Sequence, residues 1–341
     1  MKYLHLYELT KVTIGYKRAV IMDLQTGEYD LIPLQLAEIV GERKNINIVN
    51  LFQKYNQLEE KDIIQDYISF LITKRYAYKT KTKISRKLFQ NFNLNFLTPS
   101  LIDNSIIDLG EKVNIENIIK FSEQLIELGC KHLQIRIFHS HNLDFIYSIL
   151  TTIHNFQFSS IELIINHNYA FNKTDYLSRF EKFGKLKYVM VFNFEFDEYI
   201  ESKRENNMGN FIFLKQRNID CNSCGKIDHN YFTVNSAFYR ESLAFNSCLN
   251  KKISLDENGN IKNCPSMSAG YGSIKEVKLI DVIENKSFNR FWNITKRDIK
   301  TCKVCEFRDI CSDCRVFLED ENDILSKPLK CNYNPYKPLQ N

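Results

Sequence analysis

Nine of the ten cysteines in this 341-residue chain lie beyond residue 220: Cys221, Cys224, Cys248, Cys264, Cys302, Cys305, Cys311, Cys314 and Cys331. Clustered Cys-x2-Cys pairs in a reducing compartment point to thiolate metal ligation more than to disulfides. The first block is Cys248-x10-Gly259-x4-Cys264, in which Asp256 to Asn260 (DENGN) is a strong turn between two short β-type runs. The hairpin it predicts brings two distant thiols together. The second block is Cys302-x2-Cys305-x5-Cys311-x2-Cys314, with Cys331 further on. A zinc ribbon separates its two knuckles by ~15–20 residues, so sharing these thiols between two centres fits the spacing better than one ion.

Three kinds of element must position this chemistry. Over residues 1–80, Val12 to Tyr16, Arg18 to Asp23 and Glu28 to Ile32 read as strands, and helices follow from Pro33 to Gly41, Ile46 to Tyr55 and Glu59 to Thr73. The order βββααα predicts a small winged-helix-like domain. Its third helix carries Glu59, Glu60, Asp62 and Asp66, which would face phosphates, so nucleic acid is not its partner. From residue 81 to 220 the pattern alternates: apolar β-type runs begin near Ser105, His132, Ile161 and Lys187, with amphipathic stretches Ile115 to Leu128 and Leu143 to Ile153 between them. A further strand at Phe211 to Gln216 follows the polar segment 201–210. About five parallel strands predict a partial, open (β/α) barrel of TIM type in an α/β protein, the third part being residues 221–341. Ligands gather at the carboxyl ends of such strands, here Asp108, Phe138 to His141, Asn166 to Asn168 and Asn193 to Asp197. His139, His141 and His167 are the acid/base candidates there, against the plainer reading of solvated loop histidines. Cys130 stands alone and reads as a small buried hydrophobe.

The charge balance, 46 Lys+Arg against 41 Asp+Glu, is spread along the chain and announces neither nucleic acid nor an acidic membrane. No window approaches the ~20 apolar residues of a membrane span and the first residues lack a signal-peptide core, which predicts a soluble, cytoplasmic protein. No P-loop, dinucleotide glycine motif or HExxH helix is present.

The cysteine blocks resemble the SPASM domain, the auxiliary-cluster module of radical SAM peptide-modifying enzymes. Its pattern is Cys-x9-15-Gly-x4-Cys, then Cys-x2-Cys-x5-Cys-x3-Cys, then a final Cys. Seven cysteines match in order, and Cys311-x2-Cys314 is one residue short. The wording HNYFTVN, FNSCLNKKISLDENGNIKNCPSM, CEFRDICSDCRVFLED and KPLKCNYNPY resembles more closely the SPASM-domain maturase of grasp-with-spasm ribosomal peptide (RiPP) systems. The resemblance implies a precursor peptide and an ATP-grasp ligase as partners, and two auxiliary [4Fe–4S] clusters. One would use Cys248, Cys264, Cys314 and either Cys221 or Cys224; the other would use Cys302, Cys305, Cys311 and Cys331. It further implies that residues 1–80 are a RiPP recognition element whose strand Glu28, Tyr29, Asp30, Leu31, Ile32 receives the leader peptide by strand addition. The Cys-x3-Cys-x2-Cys motif that holds the SAM-cleaving cluster is absent from the first barrel loop, so recognition and presentation of the peptide is the expected role. Two alternatives stay open: a catalytically active radical SAM-like or redox peptide-modifying enzyme, and a zinc-stabilised adaptor.

Overall fold

The structure is a computed structural model describing residues 1–41, 45–84, 92–201 and 209–337. It divides into two compact units, each assembled from separated segments: residues 1–96, 227–247 and 294–341 in one, 97–226 and 248–293 in the other. Residues 221–341 therefore contribute to both.

The first unit opens with β1 (Tyr3–Leu6), β2 (Thr10–Ile14), β3 (Ala19–Asp23), β4 (Tyr29–Ile32), α1 (Leu34–Val40), β5 (Ile46–Asn47), α2 (Ile48–Lys54), α3 (Leu58–Thr73) and β6 (Ala77–Thr80). Asn47 caps α2 by accepting from the Val49 and Asn50 amides, and Gln57 with Glu60 forms a capping box on α3. The expected antiparallel sheet is present in the order β2-β3-β4; the expected βββααα order lacks β1, β5 and β6, which form a second sheet, β5-β1-β6. These strands are two to four residues long, too short to establish a period-2 pattern. Strand β3 is buried on both faces. Ala19 and Ile21 join Leu36, Ala37, Ile64, Ile68 and Leu71 in the helical core. Val20 and Met22 turn the other way, onto Phe307, Ile310 and Cys311 of the second cysteine block. The approach is close: a Cβ on Gly15 would lie 2.7 Å from the Glu306 amide nitrogen.

The second unit supplies the alternation read from sequence. Strands β7 (Asn104–Leu109), β8 (His132–Ile137), β9 (Ser160–Asn166), β10 (Leu186–Phe192) and β12 (Asn210–Phe213) are parallel; α4 (Ile115–Glu127), α5 (Leu143–His154) and α6 (Lys173–Phe180) lie between them, and the short β11 (Glu198–Ile200) pairs antiparallel with β12. Of the polar segment 201–210, residues 202–208 lie outside the described residues. Alternate strand residues such as Leu133, Ile135, Ile161, Leu163, Val189, Val191 and Phe213 pack with the helices' Ile118, Phe121, Leu125, Ile146 and Leu150. Each such burial contributes ~1.5–3 kcal/mol. The opposite strand face is polar: Glu162 accepts from Gln134 Nε2 at 2.9 Å and from the Tyr188 hydroxyl at 3.0 Å.

The last third returns to the first unit with α7 (Ser236–Ala244), then adds β13 (Lys252–Leu255), β14 (Ile261–Lys262) and α8 (Leu279–Glu284) to the second. Strand β13 pairs parallel with β7, so the sheet runs β11-β12-β10-β9-β8-β7-β13-β14. The predicted hairpin thereby covers the edge of the five-stranded core. Its turn is fixed by Asp256, whose Oδ1 accepts from the Asn258 and Asn260 amides at 3.0 and 2.8 Å, and by Gly259 at φ +79. Among the described residues no helix is long and apolar enough to cross a membrane.

Candidate metal centres

Folding sorts the cysteines by unit. In the second unit, Cys248 precedes β13 and Cys264 follows β14, so the hairpin carries both. Cys264 is buried and its thiol is pushed far above the ordinary range, first by its hydrogen bond with Cys224, then by burial and by Cys248. Lys252 Nζ donates to Cys248 Sγ at 3.6 Å. The segment bearing Cys221 and Cys224 is a single 3-10 turn capped by Asp220, whose side chain accepts from the Asn222 amide at 2.9 Å. Ser266 tethers it to the β14 side by donating to the Cys221 carbonyl at 2.5 Å. Sequence left Cys221 and Cys224 equivalent. Cys224 hydrogen-bonds Cys264, and the Cys221 thiol is pushed up by burial and then by Asp108 and Asp220.

In the first unit, Cys302, Cys305, Cys311 and Cys331 form the other group. Tight turns set them: the Cys305 amide donates to the Cys302 carbonyl at 2.9 Å, the Cys311 amide to Phe307 at 2.9 Å and the Cys331 amide to Pro328 at 3.1 Å. Burial pushes all three of Cys302, Cys305 and Cys311 upward, Cys311 to about 11, and each is raised further by other thiols of the same group. Cys314, also buried, belongs to this unit. Among the described residues no three His, Cys, Asp or Glu side chains are gathered as a ready-made site for a single metal ion. The donors in both sets are thiols, a chemistry that suits iron–sulfur or zinc.

At the carboxyl ends of the parallel strands, Asp108 is paired with Arg136, a residue not singled out from sequence. Arg136 Nε and Nη2 donate to the two carboxylate oxygens at 2.6 and 2.7 Å, and both side chains are buried. Burial pushes the Asp108 carboxyl up and Arg136 only partly offsets it. The signal was legible: in HLQIRI of β8, His132, Gln134 and Arg136 alternate with Leu133, Ile135 and Ile137, which puts Arg136 on the polar strand face. A cavity of about 270 Å³ lies beside Asp108, lined by Gly110, Asn114, Asn117, Glu257 and Lys275. His139 sits 3.6 Å from Glu111 and 3.4 Å from Glu257, at an exposed position. His141 hydrogen-bonds the Gly110 carbonyl at 3.0 Å. His167 is buried against Tyr176, with Nδ1 3.0 Å from its hydroxyl, and its pKa is lowered by burial. Asn166 and Asn168 donate to the Phe138 and His141 carbonyls at 2.8 and 3.1 Å; Asn193, at φ +61, accepts from the Tyr169 hydroxyl at 3.1 Å, and Asp197 accepts from the Lys215 amide at 2.7 Å.

The candidate peptide strand Glu28 to Ile32 maps onto β4. Tyr29 and Leu31 register with Met22 and Val20 of β3, and among the described residues β4 has no strand on its other side. Asp30 accepts from Lys74 Nζ and from the Tyr76 hydroxyl, both at 2.9 Å, joining β4 to the end of α3.

No family model matches the chain, and none of the curated proteins matches it. Solved structures do match. Streptococcus suis SuiB bound to S-adenosylmethionine aligns over 95% of this chain and 98% of its own at 12% identity, TM-score 0.36. SuiB bound to the precursor peptide SuiA aligns over 92% and 96% at 10% identity, TM-score 0.33. The heterocyclase TruD aligns over 45% of this chain and 24% of its own at 15% identity, TM-score 0.21.

Proposed function

We propose that this protein takes part in maturing a ribosomally made precursor peptide, binding its leader on β4 and working with an ATP-grasp ligase. The observation carrying this reading is the sorting of the cysteines. Supporting it, Cys224, Cys248 and Cys264 act on one another electrostatically in one unit and Cys302, Cys305, Cys311 and Cys331 do so in the other. These residues would hold two [4Fe–4S] clusters, which when bound supply a redox-active, strongly cross-linking centre; Cys314 and Cys221 are the remaining candidate thiols. The chain's own residues do the rest. The open edge of β4 offers main-chain groups to an extended leader, and the Asp108–Arg136 pair with the adjoining cavity offers polar contacts to the peptide's core. The first barrel loop, Gly110 to Asn114, has no cysteine, which favours recognition over radical generation.

The test is a count and a titration. Protein purified without oxygen is expected to contain iron and acid-labile sulfide, and to bind the cognate leader in a fluorescence titration. Zinc without sulfide would favour the adaptor reading. Release of 5′-deoxyadenosine from S-adenosylmethionine by reduced protein would favour the enzyme reading.

A further inference from the structure

One face of the parallel sheet packs on the helices; the other carries a second cavity, toward the amino ends of the strands and so away from Asp108. It holds about 230 Å³, and Asn104, Ile106, Gln134, Glu162 and Lys252 are among the residues lining it. Lys252 registers with Asn104, Ile106 with Gln134 and Gln134 with Glu162, so the alternation of each strand puts these side chains on one face. Glu162 is held in place: Gln134 Nε2 and the Tyr188 hydroxyl donate to it at 2.9 and 3.0 Å. Both donors use Oε2. Among the described residues Oε1 accepts no hydrogen bond, Glu162 has no ion pair, and neither Gln134 Oε1 nor Asn104 Oδ1 accepts anything. Three oxygens with open lone pairs therefore line one cavity, which suits an ammonium, with three donors and no acceptor. A guanidinium fork wants both oxygens of one carboxylate, and here only Oε1 is open. The other wall reverses the charge. Lys252 gives one donor to Cys248 Sγ at 3.6 Å and has no ion pair among the described residues, leaving two donors open. Strands β8 and β7 separate it from Glu162 by roughly 14 Å at the backbone, and the two side chains do not pair.

We propose that this cavity binds a small zwitterion of amino-acid type, its ammonium held by Glu162, Gln134 and Asn104 and its carboxylate by Lys252. A ligand with the two charges in reverse order matches both walls and adds no net charge to the cavity. Ile106, on the intervening β7, faces the ligand's carbon chain, and Tyr188 is a positioning residue for Glu162. The site goes beyond the maturation reading and does not depend on metal at the thiols.

The experiment titrates the full chain in a calorimeter with glycine, β-alanine, γ-aminobutyrate and ε-aminohexanoate, and with butylamine and butyrate as probes carrying one charge each. One length in the amino-acid series is expected to bind about tenfold more tightly than either control, the scale of a hydrogen bond to a charged group. Glu162→Gln is expected to lose the preference over butyrate while keeping that over butylamine, and Lys252→Met to do the converse. Each variant loses a different preference, a result that misfolding does not give. Tyr188→Phe is expected to weaken the amino acid less than Glu162→Gln does. Wild-type protein that binds none of the series, or binds amino acids no better than the controls, would overturn the proposal, as would a Glu162→Gln chain that keeps both preferences. Displacement of the bound amino acid by the precursor peptide would assign the cavity to the peptide and defeat the small-ligand reading.

Discussion

The two thiol groups stand in different relations to the cores around them. In the first unit Cys311 is itself part of an apolar cluster with Val20, Met22, Leu24, Phe307 and Ile310, so the cysteine block and the N-terminal sheet share one interior. In the second unit the core of Ile107, Leu133, Leu163, Val189 and Phe213 is complete between sheet and helices, and Cys264 lies just beyond the edge hairpin. Where a ligand set is woven into a core, losing the metal loosens the fold; where it borders a finished core, the metal is free to serve a ligand. On the metal-binding reading proposed above, the first group would be structural and the second the better placed to meet a peptide.

The largest effect that bears on this contrast comes from Cys305→Ala. Metal–thiolate bonding couples to folding on a scale of ~10 kcal/mol or more in small zinc modules, so loss of one ligand is expected to destabilise the first unit by several kcal/mol. Limited proteolysis checks it: cuts should appear in β2–β4 as well as beyond residue 294, whereas Cys224→Ala should leave β2–β4 protected. Equal protection of that sheet in both variants would erase the contrast. Asp108→Asn should lower the stability of the second unit by ~3–5 kcal/mol, because it strands the buried Arg136 guanidinium, measurable by denaturant unfolding. A smaller effect is set by His167. Burial lowers its folded pKa below that of the unfolded chain, so the unfolded state binds more protons in acid. Stability of the second unit should thus fall as pH drops through ~6.5, and His167→Gln should flatten that slope in melts between pH 5 and 8. Smallest is Cys130→Ala. This thiol, pushed up to about 12 by burial, belongs to the apolar core and faces no other cysteine, so its removal should cost about 1 kcal/mol and leave metal content unchanged.

Much of this was legible because it rests on local pattern. The five parallel strands announced themselves by apolar runs at regular spacing, and DENGN by its turn chemistry. What sequence hid is non-local. Nothing near Lys252 says that β13 will pair with β7, and nothing near Phe307 says that it will cover Val20. The expectation of leader binding by residues 1–80 alone meets the same difficulty, since an excised 1–80 fragment would leave Val20 and Met22 bare.

That shared interior also sets a clock. Strand β3 leaves the ribosome long before Phe307 and Ile310, which lie nearly three hundred residues further along the chain. At ~5–20 residues per second the sheet waits roughly 15–60 s with one apolar face open to water. Loop closure over such a length adds little to the equilibrium cost, but it delays burial. During that interval an apolar strand face beside β4, whose outer edge carries no strand among the described residues, invites association with other nascent chains. Expression at lower temperature, or with a holdase chaperone, should therefore improve the soluble yield more than any change in the parallel sheet of the second unit.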